Sequence, residues 1–100
     1  MGEMYDKQLI ASYKSDWEGS KNTILAAVAT VRLFLTTVTT ADKPNLKVYK
    51  VAFTNSIKNL KKAFAQDETC IQGELADFLK FLDEQIETID RMFLEKENSL

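Results

Sequence analysis

Apolar side chains return every three or four positions through almost the whole chain, and that period belongs to a helix rather than a strand. In the first segment Tyr5, Leu9, Tyr13 and Trp17 step by four, with Ile10 beside them. In the second, Ile24, Ala27, Val28, Val31, Phe34, Leu35 and Val38 form one stripe. Leu46, Tyr49, Phe53, Ile57, Leu60 and Phe64 continue the pattern in the third. Ile71, Leu75, Phe78, Leu82, Ile86, Ile89 and Phe93 carry it nearly to the C-terminus. A β-sandwich needs turn residues every 8–12 positions or so. Three glycines and one proline in 100 residues cannot supply them. Long helices with short connections remain, and short connections make successive helices antiparallel.

The expectation is an all-α fold, a single antiparallel four-helix bundle with helices over roughly 3–18, 21–41, 43–66 and 70–97, and one domain spanning 1–100. A three-helix bundle with a docked N-terminal helix is the variant. Gly19 reads as the stop of the first helix, and Trp17 as a core anchor near its end. Asp42-Lys43-Pro44 reads as the N-cap and first turn of the third helix. Thr69 and Gln72 make a T-x-x-Q capping box for the fourth.

The second segment is the hardest to place. Residues 31–40 are rich in β-branched side chains, which suit a strand. The single stripe and the alanines at 26, 27 and 29 favour a helix, and no partner strand exists. Residues 23–41 are also about long enough to span a bilayer. Arg32 at the centre of that stretch, six threonines and the need of the neighbouring helices for an apolar mate all argue for a bundle helix instead.

Chemistry is mostly excluded. With no histidine and one cysteine, the ordinary Ser-His-Asp, Cys-His and structural zinc arrangements are out of reach. No glycine-rich phosphate loop is present. No enzyme activity, cofactor or metal is expected. A net charge of −2 argues against a general nucleic-acid binder. Cys70 has no partner for an internal disulfide, and no signal-peptide pattern opens the chain. A reducing, cytoplasmic setting is therefore expected. Trp17-Glu18-Gly19 resembles the tripeptide of the secreted W-x-G helical hairpins, but that family places it in a mid-chain turn and follows it with a C-terminal tyrosine signal. This chain has neither.

Charge is divided sharply. From Lys43 to Gln66 the only charged residues are six lysines, whereas Asp67 to Leu100 holds ten acids against Lys80, Arg91 and Lys96. Neighbouring antiparallel helices with opposite flanking charge select each other and their register. Apolar residues also exceed what one seam requires: Leu25, Ala29 and Leu33 form a second stripe, and Val48, Val51 and Ala52 another. These either face a second bundle neighbour or mark an interface with another protein.

The functional expectation is a small non-enzymatic interaction module acting through helix faces: an inhibitor, immunity factor, adaptor or phage or bacterial accessory protein. In size and architecture alone it resembles the bacteriocin-immunity bundles. The residues singled out are Leu25, Leu33 and Val48 for apolar contact, with Asp77, Glu84 and Glu87 for charge. The partner is another protein or a second copy, with neither nucleic acid nor membrane expected. The alternatives are a membrane-associated protein using 23–41 and a non-catalytic subunit of a larger enzyme.

Overall fold

The computed structural model describes residues 8, 11–65 and 73–100. Among them all regular structure is helical: a short stretch at 11–15, α1 (Trp17–Thr37), a 3-10 helix (Thr40–Asn45), α2 (Leu46–Ala65) and α3 (Glu74–Ser99). The expected all-α class holds. Most of the expected first helix (3–18), the Thr69–Gln72 capping box, Cys70 and Ile71 lie outside the described residues.

Four expected boundaries move, each for a local reason. The first break falls at Asp16, not Gly19. Asp16 leaves the helical region (φ −154°, ψ 83°) and accepts the Gly19 N–H on Oδ1 at 2.9 Å, an N-cap for α1. Gly19 is thus inside the first turn, where a Cβ would collide with the capping carboxylate. Trp17 opens α1 rather than closing the helix before it.

The second helix ends at Thr37 instead of 41, because Val38 turns extended (ψ 132°) and still buries its side chain. Asp42-Lys43-Pro44 then belongs to a separate 3-10 turn, not to α2. Its start is fixed by the Thr39 N–H donating to Asp42 Oδ2 at 3.0 Å and the Asp42 N–H donating to the Thr39 carbonyl at 2.9 Å. The last helix begins at Glu74 rather than 70. Gly73 sits at φ +73°, a conformation that glycine alone adopts cheaply, and acts as the cap residue.

The threonine-rich end of α1 stays helical by using its own backbone. The hydroxyls of Thr36 and Thr37 donate to the Leu33 and Phe34 carbonyls at 2.6 and 2.7 Å. Thr30 does the same to Ala26 at 3.0 Å. Such i−3 and i−4 bonds satisfy a β-branched polar side chain without leaving the helix.

Helix α3 is the spine on which α1 and α2 both pack. Phe64 meets Phe78 near the start of α3, with centroids 5.2 Å apart, and Phe53 meets Phe93 near its end at 6.2 Å. Therefore α2 runs opposite to α3. Trp17 lies 4.9 Å from Phe78, while Arg32 and Leu35 share a crevice with Met92 and Glu95, so α1 runs alongside α3 in the same direction. Aromatic clusters close both ends, Tyr13, Trp17, Phe64 and Phe78 at one and Phe34, Tyr49, Phe53 and Phe93 at the other. Between them lie Val28, Val31, Ile57, Leu60, Leu82 and Ile89, all buried. Thr54 is the buried polar residue the apolar period missed, and its hydroxyl donates to the Lys50 carbonyl at 2.9 Å. Ala27, expected in the core stripe, is exposed.

Candidate interaction surface

Packing α1 and α2 on one spine uses one stripe of each helix and leaves the rest to solvent. On α1 the buried stripe is Ile24, Val28, Val31 and Leu35. The second stripe, Leu25, Ala29 and Leu33, is exposed: Leu25 by 45% and Leu33 by 69%. It meets no second helix among the described residues. Between positions 22 and 37 the only charged residue on α1 is Arg32, so this outward face is built of Leu, Ala and Thr. Several of its threonine donors are already taken by the helix itself, which makes the face more apolar than its composition suggests.

On α2, Val48 is exposed by 66% and Val51 by 48%, with Ala52 also in solvent. Leu25 and Leu33 on α1 and Val48 on α2 therefore all sit on the surface, on two different helices. Isolated exposed apolar residues are ordinary, whereas a helix face without charge is not. The α1 face is the stronger feature.

The charged candidates are exposed as well. Asp77, Glu84 and Glu87 lie on the outward side of α3 with Lys80 and Arg91 among them, and Arg91 Nη2 stands 3.6 Å from Glu87 Oε1. Spacings of three and four put all five on one stripe. Three acids against two bases leave that stripe nearly neutral, which is how a solvated helix face is usually built.

A different acidic row does face α2. Asp83, Asp90 and Glu97 recur every seven residues along α3. Asp83 forms an ion pair with Lys61 across the seam. Glu97 shares a crevice of about 350 Å³ with Lys43, Lys47 and Lys50. The opposed charges thus sit where they can hold the register of α2 on α3. Each contributes no more than about 1 kcal/mol at such exposure.

Among the described residues no three His, Cys, Asp or Glu side chains gather where a metal ion could be held. No buried side-chain polar atom there lacks a hydrogen-bond partner. No described helix is long and apolar enough to cross a membrane. Residues 23–41, the segment weighed as a span, divide between α1, the extended turn at Val38 and the start of the 3-10 helix. Compared with protein families, curated proteins and solved structures, the chain matches none.

Proposed function

We propose that this chain is a non-enzymatic protein–protein interaction module that works in the cytoplasm through the outward faces of its helices. The observation that carries this reading is the α1 face: Leu33 is exposed by 69% on a surface with no charge but Arg32. Water-facing helix stripes are ordinarily charged, and an uncharged stripe of leucine and alanine is suited to receiving another helix. Leu25 and Leu33 supply the apolar contact, with Val48 as a second point on α2. Asp77, Glu84 and Glu87 would then act as a polar rim that tunes encounter rather than as the energetic centre.

Within this reading the finer architecture is the antiparallel four-helix bundle, with the expected first helix, 3–18, shortened to end before the Asp16 cap of α1. An inhibitor, immunity factor, adaptor or accessory protein are the roles such a module serves, and a homodimer through α1 is its self-complementary version. The test is affinity purification from the native host with mass spectrometry, paired with the mass in solution from size exclusion. The paired variants are serine at Leu25, Leu33 and Val48, and charge reversal at Asp77, Glu84 and Glu87. The apolar variants are expected to lose the partner or the dimer. If both sets retain every partner and the same solution mass, the reading is wrong.

A further inference from the structure

The outward side of α2 differs from every other charged face described above. Lys47, Val51, Asn55, Lys58 and Lys62 follow one another at spacings of four, four, three and four, which keeps them within about 80° of each other on a helix of 3.6 residues per turn. All five are exposed, and Val48 lies beside them. Neither α2 nor the rest of 43–66 contains an acid. Among the described residues, none of Lys47, Lys58 and Lys62 forms an ion pair, although Lys47 at the edge of the stripe also lines the crevice that holds Glu97. The stripe on α3 is nearly neutral; this one carries three positive charges around an apolar centre.

We propose that this stripe of α2 docks an acidic amphipathic helix of a partner protein. The inference rests on the interaction-module reading and gives one partner its chemistry. Fifteen positions at 1.5 Å each make a track of roughly 22 Å, the length of four helical turns. Apolar residues of the partner would sit on Val51 and Val48, with glutamates or aspartates reaching Lys47, Lys58 and Lys62 on either side.

Charge complementarity selects this occupant over the other anionic surfaces. A helix with its side chains is about 10–12 Å wide and covers the stripe alone. A bilayer or a nucleic-acid duplex is broader and would also meet Asp83, Asp90 and Glu97, the acidic row on the α2-facing side of α3. Repulsion there opposes both. No exposed aromatic side chain lies on the stripe to enter a lipid interface.

The test uses the full chain, labelled with nitrogen-15, titrated with a synthetic amphipathic helical peptide bearing a leucine seam flanked by glutamates. The same peptide with lysines in place of the glutamates, phosphatidylglycerol vesicles and a DNA duplex are the comparison probes. The glutamate peptide is expected to shift the amides of 47–62 and to bind more weakly as salt rises. The K47E/K58E/K62E variant, checked for folding by circular dichroism, is expected to bind about tenfold more weakly. At ~1.4 kcal/mol per factor of ten that is roughly half a kcal/mol for each lysine, the ordinary worth of an exposed pair. The corresponding glutamine variant should fall between. Shifts confined to α1 would overturn the α2 assignment while leaving the module reading intact. No binding of the glutamate peptide, equal binding of its lysine counterpart, or tighter binding of the vesicles or DNA to the same stripe would each overturn it too.

Discussion

Leu33 and Leu35 are two residues apart on the same helix and carry the same side chain, yet one is 69% exposed and the other 6%. Leu35 points at α3 and is held by the core; Leu33 points away and is largely exposed. The apolar period of α1 therefore encodes two stripes, and among the described residues one is packed and the other exposed. What distinguishes them is the number of neighbours the helix has, which is a property of the assembled fold and not of the period. On this account the leftover stripe is where function resides.

The largest effect expected on the packed side is at Phe78, fully buried between Tyr13, Trp17 and Phe64. Phe78→Ala should cost about 3–5 kcal/mol of stability in urea unfolding. On the same helix, Leu94→Ala at a 57% exposed position should stay within roughly 0.5 kcal/mol. If the two variants lose stability equally, the division between packed and leftover faces is wrong.

Next in size are the caps that set where the faces begin. Gly73→Ala forces a side chain into φ +73° and should cost about 1–2 kcal/mol, although a Cβ there meets no neighbour. Asp16→Ala removes the acceptor of the Gly19 N–H and should cost about 1 kcal/mol. Hydrogen exchange would sharpen the comparison here, since fraying should appear at 17–20 on both faces of α1 together. The smallest effect is expected at the seam. Asp83→Asn breaks the pair with Lys61 and should change stability by no more than ~1 kcal/mol, a difference that shrinks further as salt is added.

Much of the packed face was legible from spacing alone. The period of Ile24, Val28, Val31, Leu35 and Val38 places them in the core, where they are buried, as are Leu46, Ile57, Leu60 and Phe64 on α2. Ala27 shares their period and is exposed, because a single methyl contributes little to either placement and follows no strong preference. The helix ends were less legible. Gly19 drew attention as a stop, but the aspartate three residues before it decides the break by capping. The positive φ of Gly73 sets the start of α3, and the spacing of apolar residues does not show it.

The candidate surface was half visible. The extra stripe Leu25, Ala29 and Leu33 stood out in the sequence, but whether a neighbour covers it depends on how the helices surround α3. Lys47, Lys58 and Lys62 read in the sequence as a basic stripe for phosphate contact, a reading that the neighbouring acidic residues oppose. What the sequence does not show is which lysines meet the acidic row: Lys61 pairs with Asp83 and Lys47 lines the crevice with Glu97, whereas Lys58 and Lys62 are exposed with no ion pair among the described residues. That distinction needs the rotation of α2 on its neighbours.

The most direct measurement is the urea midpoint of Leu33→Asp set against that of Leu35→Asp, each in the full chain. A carboxylate at 33 enters water and should leave stability within roughly 0.5 kcal/mol of the native protein. A carboxylate at 35 enters the core and should cost at least ~3 kcal/mol or prevent folding. Should Leu33→Asp unfold the chain as readily as Leu35→Asp, the outward face of α1 is part of the core, and the surface assigned to binding does not exist.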